Sequence, residues 1–292
     1  VADIAKVSNV EWADIAAVGG VAKAAIGKMG GTIDAPAGAS VTEAASLVHW
    51  WKLNDSNSTQ ADSTGSADLT GSSVTLTSSG RGDLSVCEYD RASSSMSTIN
   101  AGSVTGMMGT PRSYSFWCKF DDTGASPFDG DAPGNYDSPF SCTGELDGYG
   151  SLGVDGVCFF YYGGWFKFGV AEGNNDTSKW TTQNTKFAYW GDIDFRVGWH
   201  HWVGVIDDGG DVQKLYLDAT DSGTTASAIY TPSLDSTTDI EFGLGALHAP
   251  GGTPYTNSHC TCQLSDVRVY SIALTSANVT AIYNSGNGDW AG

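Results

Sequence analysis

Between Trp199 and Ile206 two rows of residues alternate: Trp199, His201, Val203 and Val205 fall on one side, and His200, Trp202, Gly204 and Ile206 on the other. A period of two predicts a strand. Both rows are rich in large apolar residues, which places this strand inside a sandwich rather than at its surface. Asp207-Asp208-Gly209-Gly210-Asp211 follows, a run that tolerates the left-handed backbone of a tight turn, and Val212, Lys214, Tyr216 and Asp218 then alternate with Gln213, Leu215 and Leu217. The whole segment reads as a central hairpin. Further strands are predicted over Leu47–Leu53, Ser113–Phe120, Ile240–Leu247 and Val267–Tyr270, and a second hairpin over Phe159–Phe168 around Gly163-Gly164. Only Ser276–Tyr283 carries helix signals, with Thr275 as the N-cap and Gly286 as the stop.

The first 36 residues follow a different rule. Segments beginning at Ile4, Ile15 and Ile26 align with a period of eleven, each with a Ser-Asn or Gly-Gly pair near its middle. A turn-forming pair between two valines predicts a tiny hairpin or β-arc. A helix of nearly three turns is the rival, and Gly19, Gly20, Gly30 and Gly31 oppose it by about 1 kcal/mol each relative to Ala. Units this short cannot enclose Ile4, Val7, Val10, Trp12, Ile15, Val18 and Val21 by themselves, so another chain or a host surface is expected to cover them. Residues 1–36 are therefore expected to be an assembly or attachment segment, and 37–46, small and polar, a linker.

Composition narrows the partners. Fourteen basic residues against thirty-three acidic ones give a formal charge of −19, which repels phosphate backbones and anionic bilayers, so neither nucleic acid nor membrane insertion is expected. No apolar run approaches the ~18 residues that span a bilayer, and the N-terminus lacks a basic region followed by an apolar core. Either a signal was removed before Val1 or none existed. Six cysteines, at 87, 118, 142, 158, 260 and 262, are too few for a dense disulfide framework; Cys118, beside Phe116 and Trp117, reads as a buried thiol.

Four motifs stand in one order: Leu47-Val-His-Trp-Trp-Lys-Leu53 with Asp62-Ser-Thr-Gly65, Ser113-Tyr-Ser-Phe-Trp-Cys-Lys-Phe120, the Gly198-Trp-His-His201 hairpin, and Leu264-Ser-Asp-Val-Arg-Val-Tyr270 with the helix after it. This order resembles the concanavalin A-like lectin/glucanase superfamily in its laminin-G-like branch. The resemblance implies an all-β jelly-roll sandwich of two antiparallel sheets over 47–286. In related jelly-rolls a calcium ion often ties an early Asp-x-Ser-Gly loop to an Asp just before the final strand, and Asp62 and Asp266 stand at the matching places, which makes Ca2+ a candidate cofactor beside the plain reading that both carboxylates cap turns on a solvated surface. Glucanases of this fold carry Glu-x-Asp-x-x-Glu. Here Glu145-Leu-Asp147-Gly-Tyr-Gly150 has glycine where the second glutamate belongs, so no enzyme is expected. A zinc site from His200, His201, His259, Cys260 and Cys262 is disfavoured because adjacent histidines on a strand face opposite sides.

Loops rich in aromatic residues and carboxylates suit sugars, whose C–H faces stack on rings while their hydroxyls hydrogen-bond. Tyr136, Tyr149, Trp165, Trp180, Tyr189 and Trp190 are the candidates. Arg81-Gly-Asp83 reads as a chance tripeptide in a turn, and Asn54, Asn57, Asn175 and Asn278 begin glycosylation sequons that matter only on a secretory route. The opening repeat resembles short repeats that precede jelly-roll domains in structural proteins of marine bacteriophages. That resemblance implies a virion structural or host-attachment protein, assembled as a homo-oligomer, a trimer by analogy with viral fibres, with other virion proteins bound through 1–36. A virion surface or extracellular site goes with it. The alternative is a secreted microbial carbohydrate-binding adhesin or filament subunit, and a glucanase is the remote third.

Overall fold

The computed structural model describes residues 6–7, 10–11, 17–18, 21–22, 45–56, 58–64, 67–81, 84–90, 95–97, 107, 111–120, 137–145, 154–162, 165–171, 187–191, 198–207, 212–226, 240–246, 248–249, 253–254 and 259–283. Two small hairpins come first: β1 (Lys6–Val7) pairs with β2 (Val10–Glu11), and β3 (Ala17–Val18) with β4 (Val21–Ala22). Their registers, Val7 opposite Val10 and Val18 opposite Val21, repeat after eleven residues, as the hairpin reading of the repeat predicts.

The sandwich begins with β5 (Leu47–Trp51), β6 (Thr59–Gln60), β7 (Leu69–Ser72), β8 (Thr75–Arg81), β9 (Leu84–Tyr89), β10 (Ser95–Ser97) and the long β11 (Arg112–Phe120). A meander follows, β12 (Asp137–Glu145), β13 (Val154–Tyr162), β14 (Trp165–Ala171) and β15 (Phe187–Gly191). Then come β16 (His200–Ile206), β17 (Gln213–Leu217) and β18 (Thr220–Ala226), followed by β19 (Ile240–Leu244), the short β20 (His248–Ala249) and β21 (Thr253–Pro254), β22 (Cys262–Tyr270) and α1 (Ser276–Tyr283). The first eight-stranded sheet runs β15-β14-β13-β12-β19-β10-β7-β6. The second runs β18-β17-β16-β11-β22-β9-β8, with β5 also paired to β22. These two antiparallel sheets make an all-β jelly-roll sandwich. The last strand is longer than its apolar stretch suggested, because it begins at Cys262 rather than Val267.

Aromatic rings fill the space between the sheets. Trp51 stacks on Phe242 at 4.6 Å, Phe242 meets Phe140 edge-on at 5.0 Å, and Phe116 meets Phe159 edge-on at 4.8 Å. Trp202 lies 4.1 Å from Phe166. Gly204, on the same central strand, has no side chain because Phe168 of the opposite sheet occupies that place; a Cβ there would lie 2.3 Å from its ring. The outer face of the second sheet has its own apolar cover, since Val203, Val205, Tyr216 and Tyr270 pack with Leu274, Val279 and Ile282 around α1. Thr275 caps that helix, accepting from Asn278 N at 3.2 Å while Asn278 Oδ1 accepts from Thr275 N at 2.9 Å. Among the described residues no helix is long and apolar enough to cross a membrane.

Candidate functional site

Polar side chains gather on the outer face of the second sheet, where a bulge begins the arrangement. Ser115 pairs with Arg268 and Trp117 with Ser265, so Asp266 and Val267 share the place opposite Phe116. The extra residue, Asp266, takes a left-handed backbone with φ of 56°. Its carboxylate is thereby placed to accept two bonds from Arg268, Nε at 2.7 Å and Nη2 at 3.1 Å, and one from Trp50 Nε1 at 2.8 Å. The backbone N–H of Trp50 donates at 3.0 Å to Asp62, which also bonds His49 Nδ1 at 2.6 Å. One tryptophan therefore bridges the two aspartates, one through each nitrogen.

The two acids are buried, and their charges are already answered. Burial opposes ionisation of Asp62, but the His49 bond and the N–H groups of Trp50 and Thr64 outweigh it and hold the carboxyl well below its usual range. Burial likewise opposes the Arg268 charge, and Asp266 more than restores it. These residues do not fit a calcium ion shared by Asp62 and Asp266. A cation would have to displace several N–H donors from the first carboxylate and a bidentate guanidinium from the second. No group of three or more His, Cys, Asp or Glu side chains is gathered for a metal among the described residues. The zinc set is split: His200 Nδ1 bonds Asp218 at 2.7 Å, His201 faces outward, and Cys260 and Cys262 lie in the core.

Beside this network His201 Nε2 sits 2.8 Å from Ser115 Oγ, the spacing of a nucleophile and its base. The pair is sealed, with neither residue more than 1% exposed. The ring lies 5.0 Å from Trp117, Tyr283 stacks on that indole at 5.7 Å, and the Arg81 guanidinium sits 3.5 Å over it. Burial, reinforced by the charges of Arg268 and Arg81, pushes His201 down to about 3, so it stays neutral near pH 7 and is too weak a base to activate serine there. Sequence reading passed over this pair, although a serine and a histidine on two predicted core strands were the available signal; in the sheet they stand diagonally, Ser115 opposite Val203 and His201 opposite Trp117.

The open aromatic surface lies elsewhere. Trp165, the first residue of β14, is 39% exposed and is the exposed large apolar side chain among the described residues. Tyr189 on β15 meets its ring edge-on at 4.9 Å, held there by the pairing of Trp165 with Gly191 and of Lys167 with Tyr189. Trp190 alternates to the other face, opposite Phe166, where it is partly buried against the core. Tyr136, Tyr149 and Trp180 lie outside the described residues, as do Asp147 and Gly150; Glu145 ends β12. Of the assembly positions, Ile4, Trp12 and Ile15 also lie outside them, while Val7, Val10, Val18 and Val21 stand in the hairpin ladders. A cleft of about 90 Å³ between Glu88, Lys119, Phe120, Thr261, Cys262 and Gln263 is small beside the ~300–1,000 Å³ of ordinary ligand pockets.

Residues 148–280 match the family model described as the concanavalin A-like lectin/glucanases superfamily. The jelly-roll has similar counterparts among solved structures. A mutant of Trypanosoma rangeli sialidase displaying trans-sialidase activity is 12% identical with a TM-score of 0.54, over 85% of this chain and 34% of that one. Domain 4 of AbnA, a GH43 extracellular arabinanase from Geobacillus stearothermophilus in complex with arabinotriose, is 14% identical with a TM-score of 0.51, over 80% and 97%. A mutant of HCR D/C VPI 5995 is 11% identical with a TM-score of 0.56, over 82% and 52%. At these identities the likeness is one of fold, and the chain spans about a third of the length of the sialidase chains. No curated protein sequence matches.

Proposed function

We propose that this lectin-like jelly-roll is a non-catalytic carbohydrate-binding domain, displayed on a virion or an extracellular assembly that residues 1–36 hold. The observation that carries the sugar reading is the Trp165–Tyr189 edge, an exposed indole braced by a second ring on two paired strands. Sugars present flat C–H faces, and a rigid aromatic step meets them without ordering a flexible side chain. The arabinotriose complex of a domain with this fold supports the same class of ligand. A glycan array followed by titration tests it: Trp165→Ala and Tyr189→Ala should each weaken the best glycan about tenfold, ~1.4 kcal/mol. Unchanged affinity in both variants would remove this edge from the account.

The non-catalytic reading rests on the sealed Ser115–His201 pair and on glycine at position 150. Turnover of any array glycan by the full chain would overturn it. The attachment role rests on the repeated hairpins, which pair only within themselves and are too short to stand alone. A homotrimer bound through this segment to other virion proteins is the assembly we infer, and the secreted adhesin is its counterpart outside a virion. Deleting 1–36 should leave a folded monomer that no longer assembles, whereas assembly at the parent's stoichiometry would transfer that role to the jelly-roll.

A further inference from the structure

The core holds a thiol pair that the carbohydrate reading does not use. Cys262 opens β22 and Cys260 lies two residues before it, and both belong to the core between the sheets. Both are fixed by the main chain. Cys260 N donates to Gly245 O at 2.9 Å, while Cys262 is locked in register with Tyr89 of β9 and Phe120 of β11. The place of Gly245 is itself rigid, with φ of 76° and the Tyr89 ring 2.2 Å from where a Cβ would stand. Held at these points, the two sulfurs lie 2.9 Å apart, and both residues are at most 1% exposed.

The distance separates the available chemistries. Non-bonded heavy atoms rest at roughly 3.5–4.0 Å, so two ordinary thiols would stand farther apart. Two thiolates on one tetrahedral zinc, each with a metal bond of ~2.3 Å, would be about 3.8 Å apart. A disulfide needs about 2.05 Å, and of these chemistries it is the one that draws two sulfurs inside the unbonded contact distance. The geometry points to Cys260–Cys262 as a disulfide site: we propose that the pair closes a Cys-Thr-Cys ring when the chain matures in an oxidising compartment. Each thiol gives up its proton, the Sγ–Sγ bond forms, and the two electrons reduce a small-molecule or carrier-protein disulfide to two thiols. Competing partners are fewer. Cys87 donates to Leu53 O at 3.6 Å, and Cys142 and Cys158 belong to the opposite sheet. Cys118, on the strand beside β22 and bonded to the Cys262 thiol, offers another pairing, and Cys87 stands at the matching place on β9; a cross-link from 215–268 to the peptide of either would overturn the proposal.

Such a ring spans so few residues that it removes little freedom from the unfolded chain. Its effect is local: it fixes the approach to β22, the strand that carries Asp266 and Arg268. Trypsin isolates the claim, because no Lys or Arg lies between Lys214 and Arg268, so peptide 215–268 contains Cys260 and Cys262 and no other cysteine. The full chain should be exported to a bacterial periplasm, purified without reductant, alkylated in denaturant and digested. Peptide 215–268 is expected unalkylated and about 2 Da lighter than its fully reduced form. Cys118→Ser should keep this signature, and Cys262→Ser should abolish it. Alkylation of both cysteines, or a cross-link joining 215–268 to the Cys118 peptide 113–119, would overturn the proposal. Glycan binding is read separately, so loss of either conclusion leaves the other standing.

Discussion

Two aromatic groupings decorate the outer faces of the sandwich, and they differ in one respect. Trp165 with Tyr189 and Trp117 with His201 are both built from residues of neighbouring strands with rings about 5 Å apart, and Tyr283 of α1 and Arg81 add to the second. Trp165 is 39% exposed and Trp117 only 2%. Residue type is thus a poor guide to role here, and access is a good one. The open grouping can meet a ligand, while the sealed one spends its contacts on holding the sheet, the helix and the buried charges together.

Stability offers the largest test of that contrast. Trp117→Ala should destabilise by about 3–5 kcal/mol, as should Trp202→Ala in the core, because each leaves a cavity that close packing cannot refill. Trp165→Ala should stay within about 0.5 kcal/mol, as surface substitutions do. Denaturant melts of the three variants check this, and equal midpoints for Trp117→Ala and Trp165→Ala would erase the distinction.

Acid provides the next. His201 is held at about 3 in the fold against 6.5 in an open chain, so below pH 6.5 the unfolded state takes up a proton that the native state refuses. Stability is full above pH 6.5 and declines toward pH 3, by up to ~1.4 kcal/mol per pH unit and a few kcal/mol in all. Asp62, held below its open-chain value of 3.8, adds a second loss as the pH falls below that value. His201→Asn should flatten the upper slope of a melting-temperature profile and leave the lower one. A wild-type profile without slope between pH 6.5 and 4 would show that the ring is not sealed.

Smallest is the response to calcium. With Asp266 neutralised by Arg268 and Asp62 saturated with donors, melting curves in calcium and in chelator should coincide. A rise in calcium that Asp62→Ala abolishes would show that the carboxylates rearrange around the ion.

Much of the fold was legible because period-two patterns report which side of a strand is buried. His200 to Ile206 revealed both of its faces, and Val7, Val10, Val18 and Val21 revealed the hairpins around their turn pairs. The site was less legible. Asp266 was visible as a carboxylate at a suggestive place, but its partner depends on a bulge, and a bulge is a mismatch between two strands that neither strand encodes alone. Trp165 and Trp190 looked alike as aromatic residues, and the register of β14 against β15 sends one outward and lays the other, partly buried, against the core. The sealing of Ser115 and His201 arises from residues far along the chain, Tyr283 and Arg81 among them, and no local pattern announces it.

The two opening hairpins have a consequence for how such a chain can change. Each closes its own ladder and repeats the other's register after eleven residues. On the attachment role proposed above, copying or losing one unit in the gene would change the reach between the jelly-roll and its anchorage in steps of eleven residues. On that proposal the segment is a ruler with interchangeable divisions, and the reach of the displayed domain is tuned without touching the proposed ligand surface.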